Sequence, residues 1–257
     1  MVEVSEPAAV DPSLVELATD LLTRAGELTL GYFRSSGLSV DHKADGSPVT
    51  AAEQFLRDEL AAHFPDDAVV GEEYGTTTGN SGRTWIIDPI DGTKAFARGV
   101  PLFTNLLALI DEHGAAVGAV NAPAAGELVV AGRGLGCRWN GAPCHVSGID
   151  SLAEATLTTS GYDYWPDEHV ASVKQSGATM VTWGDGYGYI LVATGRAEVM
   201  VDPGLKPWDV APMNVVIPEA GGTITDFSGL DRPPQGDVLA TNGLLHGEAL
   251  SLVSSVE

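Results

Sequence analysis

The sequence predicts a mixed α/β (α+β) fold, and three observations carry this prediction. The chain has 257 residues, of which 44% are hydrophobic, enough to bury a substantial core. Strand-like segments follow one another in the first half, whereas strand-like and helix-like segments alternate in the second half. The pattern changes near residues 143–150. We therefore expect a loose tail at residues 1–12, an α+β lobe at 13–145 and an α/β lobe at 146–257.

Two amphipathic helices are predicted first. Apolar residues recur every three or four positions over residues 14–32, which is the period of a helix. A loop at 46–48 follows, and Thr50 with Glu53 fits a capping box at the start of the second helix. That helix is expected to end near Pro65.

Strands dominate the next part of the chain. Two short apolar strands, at 68–70 and 85–87, each run into acidic residues. An antiparallel meander is predicted at 103–111, 116–121 and 127–131, and Asn140 with Gly141 is typical of a hairpin turn. The second half is predicted to contain strands at 155–159, 179–182, 198–201 and 223–226, with helices at 166–176, 187–194 and 208–220.

Charge excludes some classes of partner. The chain has 13 basic and 35 acidic residues, a formal net charge of −22. Nucleic acid and anionic membranes are disfavoured, because binding to them needs clustered Lys and Arg. The N-terminal segment is acidic and has no apolar signal region, and the longest apolar runs are short. Two cysteines do not imply a disulfide framework. We expect a cytoplasmic protein, in which the acidity favours solubility.

The segment Asp88-Pro89-Ile90-Asp91-Gly92-Thr93 carries the main chemical signal. Two carboxylates follow a strand at a spacing of three, and the Ile90 carbonyl lies between them. Oxygen ligands of this kind suit Mg²⁺. Gly92 and Thr93 are expected to begin a short helix, whose N–H groups suit a phosphate. The alternative interpretation is an ordinary Asx-type turn.

Two further acidic sites could join this segment. Glu72 and Glu73 also follow a strand, so a Glu carboxylate meets Asp88 if the two strands are neighbours. Asp209 lies near the start of the predicted helix at 208–220, where it could equally be an N-cap. If these carboxylates converge, their repulsion requires cations.

Bound Mg²⁺ would turn such a cluster into a site that holds phosphate and activates water. Thr93, beside Glu72, could position and deprotonate that water. The residues therefore predict a Mg²⁺-dependent phosphate-monoester hydrolase with a small-molecule substrate. The metal would also let an anionic substrate approach an acidic protein.

Taken together, the blocks G-E-E at 71–73, W-I-I-D-P-I-D-G-T at 85–93, W-D-V-A at 208–211 and E-A-G-G at 219–222 resemble the inositol monophosphatase family. The resemblance implies a layered α-β-α-β-α sandwich of the inositol monophosphatase and fructose-1,6-bisphosphatase type. It also implies the use of Mg²⁺ and a fold that often forms homodimers, and the charge of the converging carboxylates would call for two or three Mg²⁺ ions.

By position, the resemblance implies specific roles. Metal ligands would be Glu72, Asp88, the Ile90 carbonyl, Asp91 and Asp209. Glu72 and Thr93 would be catalytic, and the substrate would contact Asp91, Gly92, Thr93 and Asp209. One position departs from the family pattern: the element T-x-x-D reads Thr50-Ala-Ala-Glu53 here, which puts in question any support of a third metal.

The residues at 183–189 and 204–209 look more like the histidinol-phosphate phosphatase branch than like the inositol phosphatases. Histidinol phosphate carries an ammonium group, with which a carboxylate at Asp185 would pair. Asp202 is a second candidate for this role. The alternative for Asp185 is a turn residue between glycines.

Other functions remain as alternatives at this point. Inositol, sugar and nucleotide monophosphates are the competing substrates within the family. A phosphatase of the haloacid-dehalogenase type is disfavoured, because its motif Asp-x-Asp-Gly-Thr is one residue shorter. A non-catalytic metal-dependent binding protein of the same fold predicts the loss of a ligand, and all are present.

Overall fold

The computed structural model describes residues 7–35, 48–163 and 165–254. It contains two β-sheets with helices on both sides of each. The first sheet has eight strands in the order β2-β1-β3-β4-β5-β6-β7-β8. These are β1 (Ala68–Gly71), β2 (Gly75–Thr77), β3 (Thr84–Asp91), β4 (Thr104–Asp111), β5 (Gly114–Ala122), β6 (Glu127–Gly132), β7 (Gly136–Trp139) and β8 (Ala142–Pro143).

The second sheet has five strands in the order β10-β9-β11-β13-β12. They are β9 (Thr156–Thr158), β10 (Thr179–Val181), β11 (Val199–Leu205), β12 (Thr223–Asp226) and β13 (Gly236–Thr241). The helices are α1 (Pro12–Tyr32), α2 (Pro48–His63), α3 (Thr93–Ala97), α4 (Asp167–Ser176), α5 (Asp185–Ala193), α6 (Pro207–Val210), α7 (Met213–Glu219) and α8 (His246–Val253), with a 3₁₀ turn at Leu152–Glu154.

The elements form the predicted α-β-α-β-α sandwich. Helices α1 and α2 cover the outer face of the first sheet, and α5 and α7 lie between the two sheets. Helices α4 and α8 pack together on the outer side of the second sheet. Three apolar clusters fill the spaces between layers, and the central one contains residues of both sheets. The layered fold is therefore confirmed.

Helix α1 follows directly from its sequence. The Asp11 carboxylate accepts a hydrogen bond from the Ser13 N–H (2.9 Å), and Pro12 occupies the first turn. Its buried stripe includes Leu21, Leu22 and Ala25. The predicted tail is anchored just before this helix, since Val10 is buried and its N–H donates to the Arg133 carbonyl (3.0 Å). Residues 1–6 lie outside the described residues.

The predicted capping box at Thr50 is wrong. Helix α2 begins at Pro48, so Thr50 lies inside its first turn. Proline is favoured at the first helical position, where its missing N–H costs nothing. The predicted loop at 46–48 falls mostly outside the described residues.

Further boundaries differ from the prediction, and two of these differences bear on the acidic residues. The predicted helix at 208–220 is divided into α6 and α7 at Ala211 and Pro212, because proline has no N–H for the carbonyl four residues earlier. The strand predicted to stop at 87 continues to Asp91. Among the described residues, no helix combines the length and the apolar composition needed to cross a bilayer.

Candidate active site

Two parallel strands deliver the first acidic residues to one place. Strand β1 pairs with β3 in parallel, with Gly71 opposite Ile87. Glu72 follows Gly71 just after β1 and Asp88 follows Ile87 within β3, so both lie where the parallel pairing ends. The two strands are therefore neighbours, which is the condition for Glu72 and Asp88 to meet.

An irregularity in β3 brings Asp88 and Asp91 to the same side. In a regular strand, residues three apart face opposite sides of the sheet. Here Asp88 pairs with Leu106 and Asp91 with Thr104, so three steps along β3 match two along β4. This bulge reverses the side-chain alternation. The Ile90 N–H donates to Oδ1 of Asp88 (3.0 Å), which holds the carboxylate.

Asp209 completes a compact cluster. It lies in α6, where its Oδ2 accepts a hydrogen bond from the Lys206 N–H (2.8 Å) and so stabilises the start of the helix. Capping does not exclude it from the site. One carboxylate oxygen from each of Asp88, Asp91 and Asp209 lies within 4.8 Å of the others.

A cavity of about 420 Å³ surrounds this cluster, a size suited to a small molecule. It is lined by the predicted residues Glu72, Asp88, Ile90, Asp91, Gly92, Thr93, Asp185 and Asp209. A smaller cavity of about 160 Å³ shares Asp91, Asp185 and Asp209 with it, and there Asp202 is also part of the lining. The structure thus brings all the predicted site residues to two adjoining cavities.

The carboxylates repel one another at close range. Burial raises the pKa of Asp88, and the charges of Asp91 and Glu72 raise it further. Burial, followed by the charge of Asp91, raises the pKa of Asp209 to about 7. Neighbouring acids with raised pKa values indicate a site that favours positive charge.

Hydrogen bonds hold Asp91 from two sides. Its Oδ2 accepts from the Thr104 hydroxyl (2.6 Å) and from the Gly186 N–H (2.6 Å). Burial raises the pKa of Asp91, and these two bonds lower it. A β-carbon at Gly186 would lie 2.3 Å from Oγ1 of Thr104, so the contact needs glycine. The start of α5 is thereby attached to the end of β3.

Asp185 begins α5 in a left-handed conformation, with φ of 51°. Its N–H donates to the Ser160 hydroxyl (2.8 Å). Burial raises the pKa of Asp185 to about 7, with a further contribution from the charge of Asp91. A non-glycine residue in this backbone region is strained, and such residues cluster at functional sites.

Asp202 and Tyr189 line the smaller cavity with polar atoms that are not used by the fold. Asp202 is 2% exposed and Tyr189 is 1% exposed. Asp202 Oδ2 and the Tyr189 hydroxyl find no hydrogen-bond partner among the described residues. Burial raises the pKa of both groups. Unpartnered buried polar atoms are costly, so they point to a ligand.

Glu53 lies elsewhere. It is fully buried and does not line either cavity. Its two oxygens accept hydrogen bonds from the N–H groups of Glu73 and Tyr74 and from Arg57. The Glu53 carboxylate therefore stabilises the turn that follows β1.

Several lining residues were not predicted from the sequence. Lys94 and Lys206 line the larger cavity, Tyr189 the smaller one and Ser160 both. The sequence does contain a signal for the lysines, because lysine is rare in this acidic chain. It has just four, Lys43, Lys94, Lys174 and Lys206. The sequence contains no such signal for Ser160 and Tyr189, since their place in the lining depends on contacts with residues that are distant in sequence.

Comparison with known proteins agrees with this geometry. The model of the inositol monophosphatase family matches residues 12–257. The chain therefore belongs to the inositol monophosphatase family, whose members include phosphatases with this fold. An inositol monophosphatase structure from Thermotoga maritima superposes with a TM-score of 0.85 at 29% identity, covering 94% of this chain and 96% of that one.

Within the family, the chain is similar to proteins named histidinol-phosphatase. The one from Chlorobaculum parvum is 41% identical, with 88% of this chain and 91% of the relative covered. The one from Mycobacterium tuberculosis is 39% identical, with 93% and 97% covered.

Proposed function

We propose that this protein is a Mg²⁺-dependent phosphate-monoester hydrolase that acts on histidinol phosphate. The observation that carries the proposal is the cluster of Asp88, Asp91 and Asp209, whose carboxylate oxygens lie within 4.8 Å of one another. The names of the similar proteins from Chlorobaculum parvum and Mycobacterium tuberculosis support the substrate.

The donor set suits Mg²⁺, which prefers carboxylate and carbonyl oxygens. Asp88, Asp91 and Asp209 would hold two or three ions, with Glu72 and the Ile90 carbonyl as further ligands lining the same cavity. When bound, Mg²⁺ would polarise the phosphate and lower the pKa of a bound water.

The protein's own groups would bind the phosphate and direct the water. Gly92 and Thr93 line the cavity next to Asp91. Their backbone N–H groups would donate to phosphate oxygens, which otherwise face an acidic wall. Glu72 would accept the proton of the attacking water, and the Thr93 hydroxyl would orient that water.

The smaller cavity would receive the amino alcohol part of the substrate. Asp185 and Asp202 line it, and the Tyr189 hydroxyl and Asp202 Oδ2 have no partner among the residues described. An ammonium group donates hydrogen bonds and carries a positive charge, so it would satisfy both atoms. A neutral polyol would offer no positive charge to favour the ionised carboxylates.

The direct test measures phosphate release from histidinol phosphate and from inositol 1-phosphate, with Mg²⁺ and with EDTA. We expect Mg²⁺-dependent turnover with a clear preference for histidinol phosphate. Faster turnover of inositol phosphate would assign the protein to the activity named for its Thermotoga maritima neighbour. No turnover of any ester in the presence of Mg²⁺ would support a non-catalytic binding protein.

Asp185→Asn tests recognition of the amine. A hydrogen bond to a charged group contributes about 1.5–3 kcal/mol, which corresponds to a loss of roughly 10- to 100-fold in kcat/KM for histidinol phosphate. Inositol phosphate should be affected much less. Equal losses on both substrates would show that Asp185 does not read the amine.

The proposal extends to assembly and location. A homodimer follows from the family resemblance and is measured by light scattering after size-exclusion chromatography. Cys137 and Cys144 are both buried free thiols, which suits a reducing cytoplasm. We expect the substrate, rather than nucleic acid or membrane, to be the partner of this acidic chain.

A further inference from the structure

A buried carboxylate lies beneath the turn that carries Glu72. Glu53, on α2, is fully buried. Its Oε2 accepts a hydrogen bond from the Glu73 N–H (2.8 Å), and its Oε1 accepts one from the Tyr74 N–H (3.1 Å). Oε1 also accepts one from Nε of Arg57 (2.8 Å). Both oxygens are thus engaged.

Arg57 continues the contact between α2 and this turn as far as Gly75. Its Nη2 donates to the Gly75 carbonyl (2.5 Å), and its guanidinium lies 5.9 Å from the centre of the Tyr74 ring. On the other side of Glu72, a β-carbon at Gly71 would lie 2.3 Å from Oε1 of Glu53. The residues that flank Glu72 in sequence, Gly71 and Glu73, therefore both contact Glu53.

Stability is a poor explanation for this pair. Replacing a buried ion pair by apolar side chains is often neutral or stabilising, because desolvation opposes the attraction between the charges. The pair does fix geometry. The Glu53 carboxylate accepts from three donors and the Arg57 guanidinium donates to a carbonyl, and these bonds determine how α2 packs against the turn after β1. Only one residue within that turn, Glu72, lines the larger cavity.

We propose that Glu53, paired with Arg57, is a positioning residue that fixes the Glu72 carboxylate for metal binding. This inference rests on the proposed function, because it assigns Glu53 to the support of a Mg²⁺ ligand. Glu53 acts through the backbone of Glu73 and Tyr74 and does not itself touch the metal. Partners that orient metal ligands in this way are worth about 10- to 100-fold in metal affinity.

Glu53→Gln is the test, since it keeps the shape and removes the charge. The glutamine side chain places an NH₂ group where at least one donor needs an acceptor. Two quantities are measured in the absence of substrate: amide hydrogen exchange of the segment 71–75 and Mg²⁺ affinity by calorimetry. We expect faster exchange in this segment and Mg²⁺ binding weakened by about 10- to 100-fold.

Asp111→Asn is the matched control. Asp111 forms an ion pair with Arg133 (2.6 Å) at the opposite end of β4 from Thr104. This variant should lower the melting temperature without changing exchange at 71–75 or Mg²⁺ affinity. Should Glu53→Gln fail to fold, the double variant Glu53→Gln/Arg57→Met is measured instead, because it leaves no unpaired buried charge.

The possible results separate this inference from the proposed function. Native Mg²⁺ affinity in the Glu53 variant, with or without faster exchange, overturns the positioning role while the proposed function stands. A wild-type protein that binds no Mg²⁺ overturns both. Weakened binding in the variant, with a wild-type protein that binds Mg²⁺ but hydrolyses no ester, supports the positioning role and rejects the hydrolase.

Discussion

The two ends of the candidate active site, which comprises the two adjoining cavities, are built in opposite ways. At the end formed by β3, the carboxylate of Asp91 is held by Thr104 and Gly186, and that of Asp88 by the Ile90 N–H. At the end formed by α5 and β11, Asp202 Oδ2 and the Tyr189 hydroxyl lack partners among the described residues, although both side chains are buried.

This difference suggests that one end carries the reaction and that the other end selects the substrate. Carboxylates held rigidly by neighbouring donors suit a metal site, which needs fixed geometry. Polar atoms left unpaired impose a cost that a substrate with the right donors removes, and one without them does not. We infer that the β3 end serves the reaction of every substrate, whereas the α5–β11 end distinguishes between substrates.

The largest effect is expected for Asp209→Asn. The asparagine oxygen can still accept the Lys206 N–H, so α6 should keep its start. The cluster of three carboxylates loses one charge, and metal affinity should fall with it. We expect the rate of phosphate release to fall by at least about 100-fold for every substrate, more than for the loss of a supporting residue.

Circular dichroism should show an unchanged fold for this variant. Asp226→Asn serves as a control, since the Asp226 carboxylate caps a turn at 228–230 away from the cavity. Near-native activity of Asp209→Asn would remove Asp209 from the metal site and weaken the contrast between the two ends.

Asp202→Asn should have a selective effect. Losing a charged partner for an ammonium costs roughly 10- to 100-fold in kcat/KM for histidinol phosphate. A phosphate ester without an amine, such as p-nitrophenyl phosphate, should be hydrolysed at close to the native rate. If both substrates lose activity to the same degree, the α5–β11 end is not a selective site.

The contrast also shows what a sequence can reveal. Glu72 and Asp88 could be placed together because each follows a short apolar strand, and parallel neighbours end at the same edge. The rest of the β3 end is harder to predict from the sequence. The sequence predicts that the strand ends at residue 87, whereas β3 continues as a bulge to Asp91. There the side-chain amide of Asn105, on the adjacent strand, donates to the Pro89 carbonyl (2.6 Å).

Most failures of prediction have one physical cause: the structure depends on contacts between residues that are distant in sequence. The Thr50–Glu53 spacing predicts a role for the Glu53 carboxylate in a helix cap, but two of its three donors are N–H groups 20 and 21 residues away. Nothing in the local pattern distinguishes Tyr189 from an ordinary core residue. The break at Pro212 is the exception, since proline is a local signal of a helix boundary.

Metal removal should expose the charge repulsion as a pH dependence of stability. Folding raises the pKa of Asp185 and of Asp209 to about 7. Between the unfolded pKa of about 4 and pH 7, the folded state binds more protons than the unfolded state, so the free energy of unfolding falls as the pH rises. The carboxylates with lowered pKa values, such as Asp111, act at lower pH.

In EDTA, we therefore expect the melting temperature to fall by a few degrees as the pH rises from about 4.5 to 7.5. Adding Mg²⁺ should remove most of this loss at pH 7.5, because cations favour the ionised carboxylates. A melting temperature that rises with pH in EDTA would contradict the raised pKa values.

The smallest effect is expected from Lys94 and Lys206, which both line the larger cavity. The Lys94 charge lowers the pKa of Asp185, and the Lys206 charge lowers that of Asp209, so both act on the cavity. They would offset part of the repulsion that a chain of net charge −22 exerts on a phosphate. Each of Lys94→Gln and Lys206→Gln should lower kcat/KM about 2- to 5-fold at low salt, the range of an exposed charge pair.

Salt provides the decisive readout for these variants, because screening weakens attraction between exposed charges. The deficit of each variant should shrink as ionic strength rises from about 0.01 to 0.15 M, where the Debye length falls from about 30 to 8 Å. Lys174→Gln removes the same charge from α4, outside the lining of both cavities, and should change little. A salt-independent loss would mean that the lysines do not attract the phosphate at long range, and this attraction would then belong to the β3 end alone.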